Sequence, residues 1–284
     1  MKKGLTLSLI FEAQSANYGE GFGNITALKR ISRQGGDGYT YISRQALRYN
    51  MVEQLGWDNT PVEAMGSGDK KVIQYKPNTS IANYPEIDLF GYMKTDKGSG
   101  ANTRSAVVRL SNAVSLEPYH SDLDFLTNMG QAKRINANNS IAQSEIHKSF
   151  YAYTIAIDLD RVGIDRDIEV TNVEKAKRIT DLLQTIQFLY RDIKGRRENF
   201  APVFAIGGIY ERKSPFFENR LKFDKQGLCL APILDTMDSI GDRSLVGYVG
   251  DSFKNNEEIK NALAPMTISQ LFKQLCSEVE AMYQ

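Results

Sequence analysis

The chain has 284 residues with 35 Lys and Arg against 34 Asp and Glu, so its net charge at neutral pH is only +1. This balance excludes a polybasic tail, and any contact with nucleic acid would have to use a local basic patch. The two cysteines, Cys229 and Cys276, lie far apart and outside any CxxC pair, which argues against a disulfide framework or a zinc knuckle and indicates a reducing compartment.

The amino terminus predicts the first strand. Leu5, Leu7 and Leu9 alternate with polar residues in the period-two pattern of a half-buried strand. Ser8 and Glu12 interrupt the apolar run, which does not fit a signal peptide. Because no stretch of the sequence approaches the roughly 20 apolar residues of a membrane-spanning helix, we expect a cytoplasmic protein with no membrane partner.

The first predicted helix begins after Ser43, whose side chain is a suitable N-cap. Its apolar positions Leu47, Met51 and Leu55 recur every four residues, and Gly56 fits the C′ position that closes a helix. The helix is therefore expected to run from about Arg44 to Leu55.

The region from Trp57 to Ile146 has an irregular pattern. Short apolar segments, among them 87–92 and 105–110, are separated by polar stretches and by the loop-forming run 97–102. We interpret this region as an insertion that is built partly on the core sheet.

The second half of the chain contains a predicted central strand and the most regular helix. Residues 150–159 are rich in aromatic and β-branched side chains, as in a central strand. Thr171 and Glu174 have the spacing of a capping box, and apolar residues then mark one helical face as far as Ile193, before Gly195.

Two further strands and a terminal helix complete the predicted order. Residues 201–210 predict a strand that ends in a glycine pair, and residues 228–234 predict a returning strand. The last helix begins at Ile268, after a capping box of Thr267 and Gln270. This order is that of an α+β fold of the split βαβ kind, in which helices cover one face of an antiparallel sheet.

The most informative chemistry lies on the first predicted helix. Arg44 and Arg48 are four residues apart, and Gln45 precedes Arg48 by three, so these side chains share one stripe beside the apolar one. Two neighbouring cations repel each other, whereas a phosphate lying across them would stabilise both, and the helix N-terminus would add N–H groups and a favourable dipole. The alternative is an ordinary solvated helix face. Lys29 and Arg30, between two glycine-rich loops, could extend the same patch.

Segments along nearly the whole chain resemble one protein family. NITALKR (residues 24–30) followed by GYTYISRQALR (residues 38–48) is similar to the amino-terminal signature of the Cas-seven backbone subunits of type I (I-B-like) Cascade, in the DevR/Cst branch. The segments 87–91 and 104–122 and the glycine pair at 207–208 are similar to that branch as well.

This resemblance implies an RRM-like (ferredoxin-like) palm with an inserted finger domain and a thumb loop. The palm would comprise residues 1–55 and 150–284, with the thumb at about 207–227, and the finger would comprise residues 56–149. In that family several copies stack head to tail along the CRISPR RNA (crRNA) and present it for pairing with target DNA in antiviral defence. The implied partners are crRNA, target DNA, further copies of the chain and the other Cascade subunits (Cas-five, Cas-six, and the large and small subunits). No cofactor and no catalytic activity are implied.

The resemblance also implies the residues that contact RNA. The family's pattern at the start of the first helix is met by Ser43, Gln45 and Arg48, which would hold phosphate and ribose irrespective of the guide sequence. The thumb would kink the guide and flip out one base, with Phe216 or Phe217 as a wedge, although aromatic residues in a loop can equally be buried anchors. The full predicted RNA-binding set is Asn24, Lys29, Arg30, Ser43, Arg44, Gln45, Arg48, Arg104, Gly207, Gly208 and Tyr210.

The alternative function is that of a metal-dependent endoribonuclease. Related type III backbone subunits cleave RNA with an aspartate in a loop before the first helix, and Asp37 lies in a comparable loop, where its flanking glycines also make it a natural turn residue. His120, Asp122 and Asp124 could suggest metal ligands, but the only other histidine is His147, and a hydrogen-bonding role fits the acidic pair better. We therefore predict no metal site and no enzymatic activity.

Overall fold

The computed structural model describes residues 3–14, 17–23, 25–33, 35–66, 71–96, 100–241 and 244–284, and every structural statement below concerns these residues. The strands are β1 (Gly4–Ala13), β2 (Tyr18–Phe22), β3 (Ile25–Leu28), β4 (Arg30–Ser32), β5 (Gly38–Ile42), β6 (Val62–Met65), β7 (Val72–Tyr75), β8 (Tyr92–Asp96), β9 (Gly100–Arg104), β10 (Val108–Leu110), β11 (Ala113–Ser115), β12 (Asp122–Thr127), β13 (Ile141–Ile146), β14 (Ser149–Asp158), β15 (Ile164–Asp165), β16 (Ile168–Glu169), β17 (Tyr190–Ile193), β18 (Arg196–Asn199), β19 (Phe204–Tyr210), β20 (Phe223–Asp224), β21 (Gly227–Leu228) and β22 (Leu245–Tyr248). The helices are α1 (Arg44–Gln54), α2 (Pro85–Phe90), α3 (Met129–Ala132), α4 (Asn172–Gln187), α5 (Ala231–Ile240), α6 (Asn256–Leu263) and α7 (Ile268–Tyr283).

One eight-stranded sheet organises the molecule. Its strands lie in the order β22-β19-β1-β14-β11-β5-β4, and β10 also pairs with β14. Each of these neighbouring pairs is antiparallel. Among the inner strands, α1 lies in the chain between β1 and β11, and α4 lies between β14 and β19, which is a split βαβ arrangement. The predicted α+β fold class is therefore confirmed.

Both faces of this sheet are covered by apolar side chains. The first core lies between one face and the helices α1, α4 and α7, and the second lies between the other face, the helices α5 and α6 and the segment from Phe217 to Leu230. Strand β1 contributes Leu5, Leu7 and Leu9 to the first core and Ile10 to the second, and all four are fully buried. The prediction of a half-buried strand is therefore wrong, because both faces of β1 are covered.

Two of the predicted helices begin where their capping residues lie. The Ser43 Oγ accepts a hydrogen bond from the Ala46 N–H at 3.3 Å, and α1 follows it. Thr267 and Gln270 form both hydrogen bonds of a capping box at the start of α7. Leu47 and Met51 of α1 are buried as the sequence periodicity predicts, whereas Leu55 at the end of the helix is only half-buried. Local capping and apolar periodicity suffice to locate these two helices.

Helix α4 ends earlier than the sequence predicts. The helix begins after Thr171, but it stops at Gln187, and residues 190–199 form the hairpin of β17 and β18. Lys194 and Gly195 form the turn with φ angles of 48° and 77°, a left-handed conformation that glycine adopts easily. The apolar periodicity therefore extends past the true end of the helix.

The prediction of a strand at residues 228–234 is also wrong. Only Gly227 and Leu228 pair, as β21, and α5 begins at Ala231. Pro232 occupies the first turn of α5, where its missing N–H leaves no helical hydrogen bond unmade. The buried Ile233 packs in the second core from this helix.

A buried ionic cluster connects helix α2 with helix α4. The Asp88 carboxylate, on α2, accepts hydrogen bonds from Arg104 Nη2 at 2.5 Å and Arg178 Nη1 at 2.8 Å, and all three side chains are at most 3% exposed. The Gly163 N–H also donates to this carboxylate, at 3.0 Å. Arg178 also contacts Glu174 at 2.8 Å, and Arg104 contacts Asp165 at 3.7 Å. The Asp88 carboxylate orients both buried guanidinium groups and so fixes α2 against α4.

We predict that Asp88→Ala lowers the free energy of unfolding by about 3–5 kcal/mol, because it removes the buried carboxylate that orients both arginines. Urea unfolding measures this change. The matched control is Asp192→Ala, which removes a carboxylate from the exposed ion pair with Arg197 and should leave the unfolding midpoint nearly unchanged. If both variants unfold at the same urea concentration, Asp88 does not stabilise the contact between α2 and α4.

Candidate nucleic-acid interface

Helix α1 presents a polar face opposite its buried one. Leu47 and Met51 are fully buried against the sheet, which leaves Arg44 and Gln45 exposed to solvent. Within the described part of the chain, the Arg44 side chain has no ion-pair partner. This cation is therefore available to a ligand.

The first N–H groups of α1 are engaged by side chains. The Arg44 N–H donates to Asn112 Oδ1 at 2.9 Å, and the Ala46 N–H donates to the Ser43 Oγ. The Asn17 side chain contacts Ser43 as well, through Oδ1 and the Ser43 N–H at 3.2 Å. Ser43 is thus committed to capping, and a phosphate at this helix would be held mainly by side chains, contrary to the prediction of free N–H groups.

Arg48 is held in place by the insertion. Its Nη2 donates to Glu86 Oε1 at 3.3 Å and to the Tyr75 hydroxyl at 3.2 Å, and its guanidinium lies over the Phe90 ring at 4.9 Å. The Tyr75 hydroxyl donates to the same Glu86 oxygen at 2.7 Å. The Arg48 side chain remains 34% exposed. It is therefore partly neutralised and still accessible.

Two adjoining depressions follow the polar face of α1, and we call them together the α1 groove. A cavity of about 500 Å³ is lined by Arg44, Gln45, Arg48, Phe90, Ala106, Val108, Arg109 and Leu110. A second cavity of about 540 Å³ lies between α1 and the β6–β7 hairpin, and Gln45 and Arg48 line both. The α1 groove thus contains three arginines, with apolar surface between them.

The sequence analysis missed Arg109, the third cation of the α1 groove. Arg109 lies on β10 between the buried Val108 and the half-buried Leu110, and its side chain is 49% exposed and contacts Asp158 at 3.0 Å. The alternation of Arg109 with apolar neighbours indicates an outward-facing position on a strand. Only the tertiary fold shows that this strand, β10, lies beside α1.

Lys29 and Arg30 differ in their environments. The Arg30 Nη2 contacts both carboxylate oxygens of Glu145, at 2.7 and 2.8 Å, and its guanidinium lies over the Tyr119 ring. Lys29 is exposed and has no ion-pair partner within the described ranges. Of these two predicted RNA contacts, only Lys29 offers an uncompensated charge. Asn24, a further predicted contact, lies outside the described residues.

Arg104 is not available to RNA. Its side chain is 3% exposed and is bound to Asp88, and its other N–H groups donate to the backbone oxygens of Asp88, Arg161 and Ile164. The prediction that Arg104 contacts RNA is therefore wrong, because the insertion folds back over it.

The glycine pair and Tyr210 also lie inside the fold. Gly207 lies within β19, and a Cβ atom there would be 1.9 Å from the Thr6 carbonyl oxygen, so this position requires glycine for packing. Gly208 is buried beside it, and Tyr210 is 1% exposed, with its hydroxyl 2.8 Å from the Ser244 Oγ. The predicted RNA contacts of these three residues are corrected to packing roles.

The two predicted thumb wedges differ in burial. Phe217 is fully buried in the second core, so the alternative of a buried anchor holds for it. Phe216 is half-buried and packs edge-on against the Tyr210 ring at 5.0 Å. A wedge role for Phe216 stays a prediction.

A different segment exposes apolar side chains. Strands β12 and β13 pair as a hairpin that belongs to a four-stranded sheet of order β12-β13-β3-β2. We call residues 122–146 the apolar hairpin, since Leu126 is 70% and Ile135 77% exposed. Its other exposed apolar residues are Leu123, Phe125, Met129 and Ile141. Such a surface is typical of a protein contact.

Two of the residues considered for catalysis make contacts within the fold. Asp37 is exposed in a turn, and its backbone oxygen accepts a hydrogen bond from the Arg33 N–H. His147 is buried and bonded to the Thr40 hydroxyl at 2.7 Å, and burial lowers its pKa. Among the described residues, no group of three or more His, Cys, Asp or Glu side chains is placed to hold a metal ion.

The helices in the described ranges are too short or too polar for any of them to span a lipid bilayer.

One family model and two solved structures match the chain. The family model described as "CRISPR-associated negative auto-regulator DevR/Csa2" matches residues 5–224. A solved chain described as "CRISPR RNA-guided surveillance complex, pre-nicking" aligns with a TM-score of 0.62 at 11% identity, covering 97% of this chain and 100% of that chain. A second, described as "CRISPR RNA-guided surveillance complex", aligns with a TM-score of 0.54 at 14% identity, covering 92% and 99%. No curated protein matches the chain. At these identities the two structures show a common fold.

Proposed function

The chain belongs to the DevR/Csa2 family of CRISPR-associated proteins, and from this premise we propose that it is a crRNA-binding backbone subunit of a type I Cascade complex. In this role it binds a guide RNA without cleaving it, assembles in several copies along it and presents it to target DNA. The solved chains of similar fold come from RNA-guided surveillance complexes, which supports the proposal. The other Cascade subunits, namely Cas-five, Cas-six and the large and small subunits, are its proposed partners.

The observation on which this proposal rests is the α1 groove. Arg44, Arg48 and Arg109 place three guanidinium groups along one surface, and Gln45 adds a neutral donor and acceptor. Guanidinium groups suit phosphate oxygens, and contacts to phosphate position a strand without reading its sequence. A single strand held in this way is bound irrespective of its sequence, as a guide-carrying protein requires.

The RRM-like palm is the finer interpretation of the fold. We assign the palm to residues 1–55 and 150–284 and the finger insertion to residues 56–149, of which β10 and β11 belong to the central sheet. Because Phe217 and Leu221 of the segment 207–227 are buried in the second core, whereas the hairpin exposes its apolar side chains, we assign the thumb role to the apolar hairpin. Its exposed side chains lack a partner within the described chain, and a second copy on the same RNA would cover them.

The near-neutral net charge supports assembly of copies. A net charge of +1 produces little repulsion between neighbouring copies, while the α1 groove still provides a local positive surface. Heterologous contacts repeated from copy to copy generate open helical assemblies, which match a linear guide.

We predict that Arg44→Glu with Arg48→Glu weakens binding of a short single-stranded RNA by at least roughly 100-fold, because two attractive phosphate contacts become repulsive. Fluorescence anisotropy measures the affinity. The alanine versions should lower the slope of log K against log salt by about 0.7 for each lost contact.

The control for this charge reversal is Lys222→Glu with Lys225→Glu, which changes two exposed lysines outside the α1 groove. It should retain nearly all of the affinity. If both double variants bind RNA as tightly as the wild type does, the α1 groove is not the RNA site.

A second prediction concerns the apolar hairpin. Phe125→Asp with Leu126→Asp should abolish assembly of several copies on a long guide, because both side chains would be buried between copies. Binding of one copy to a short RNA should persist. Phe188→Asp, a change at an exposed aromatic residue on another surface, is the control. Electron microscopy shows the outcome, and unaltered filaments of the hairpin variant would contradict the thumb assignment.

A further inference from the structure

The two arginines of α1 differ in how their side chains are held. Arg44 is exposed and unpaired within the described residues, whereas one arm of the Arg48 guanidinium, Nη2, is held by Glu86 and Tyr75. The Nε and Nη1 atoms of Arg48 make no hydrogen bond to described residues. Because a guanidinium is planar and rigid, fixing one arm also fixes the direction of the remaining N–H groups.

The carboxylate that holds Arg48 is itself held firmly. Glu86 receives its shortest hydrogen bond from the Tyr75 hydroxyl, at 2.7 Å, and its contact with Arg48 is longer, at 3.3 Å. Burial and the hydrogen bond to Glu86 raise the pKa of Tyr75 to about 12, so the hydroxyl keeps its proton at neutral pH. Tyr75 thereby shares the Glu86 charge and leaves Arg48 less than fully neutralised.

The support beneath Glu86 is rigid. Two residues along α2, the Asp88 carboxylate is fully buried and bonded to Arg104, Arg178 and the Gly163 N–H. Phe90, at the end of the same helix, lies under the Arg48 guanidinium. An arginine that is held in its binding geometry by such a frame loses less conformational entropy on binding than a free one.

We propose that Glu86 and Tyr75 are positioning residues, which hold Arg48 so that its Nε and Nη1 edge is offered to an RNA phosphate. This inference rests on the proposed function and assigns the α2 and β7 elements of the insertion a direct part in RNA binding. It opposes the simpler expectation that an acidic residue beside a phosphate site weakens binding by repulsion.

A double-mutant cycle tests the proposal. Affinity for a short single-stranded RNA is measured by fluorescence anisotropy for the wild type, Glu86→Ala, Arg48→Ala and the double variant. Glu86→Ala should weaken binding about tenfold in the wild type and less than about twofold in the Arg48→Ala background, because its effect acts only through Arg48. Glu86→Gln keeps an oxygen acceptor and should restore most of the affinity.

Two further variants separate positioning from charge and from folding. Tyr75→Phe removes one hydrogen bond without changing the charge and should weaken binding about threefold. The matched control is Asp192→Ala, which removes a carboxylate from an exposed ion pair with Arg197 outside the α1 groove. Asp192→Ala should leave RNA binding unchanged. Thermal unfolding of each variant confirms that it is folded.

Three results would overturn the inference. The first is tighter or equal binding by Glu86→Ala, which would mean that the carboxylate competes with phosphate. The second is an equal loss in the presence and absence of Arg48, which would mean a merely structural role. The third is wild-type affinity of the Arg48→Ala variant, or no RNA binding by the wild type, which would overturn the proposed function together with this inference. If Arg48→Ala loses RNA affinity but the effect of Glu86→Ala does not depend on Arg48, the inference is wrong and the proposed function stands.

Discussion

Strand β1 is hydrogen-bonded along both edges and covered on both faces, and the positions of the other elements follow from it. It pairs with β14 over its whole length, from Gly4 opposite Asp158 to Ala13 opposite Ser149, and with β19 on the other side. The close approach of β19 requires Gly207, since a side chain there would meet the Thr6 carbonyl oxygen. One face of β1 supplies apolar side chains to the first core, and its other face carries both the apolar Ile10 and the hydrogen-bonded Ser8, which contacts the Thr154 hydroxyl.

The sheet built on β1 places the functional elements. Strand β14 aligns β10 and β11, so Arg109 lies beside the helix that bears Arg44 and Arg48. The insertion then closes over this helix from the other side, where Asp88 anchors α2 to the palm and Glu86 reaches Arg48. RNA binding in this account is therefore a property of the palm and the insertion together. Without these contacts, helix α1 would offer only two mobile cations that repel each other.

Structural features that depend on residues close in the chain are predicted correctly from the sequence. Features that depend on contacts between distant segments are not. The starts of α1 and α7 are predicted correctly because Ser43 and Thr267 cap their own helices. The end of α4 is not, because pairing between β17 and β18 overrides helical periodicity. The exposure of Arg104, Tyr210 and Phe217 could not be read from their loops or strand ends, since each is buried by a segment far away in the chain. The structure brings Arg44, Gln45 and Arg48 together along one groove, and distant segments add Arg109 and Glu86 to it. The RNA contacts of these residues stay a prediction.

Crosslinking of the protein assembled on a guide RNA tests the central claim most directly. Ultraviolet irradiation followed by mass spectrometry of the crosslinked peptides locates the RNA on the surface, and Tyr49, an exposed aromatic residue of α1 that lines the groove, provides a reactive ring. The account predicts nucleotide adducts on residues 44–54 and on the segment that contains Arg109. Adducts confined to other surfaces, with none on α1, would contradict it.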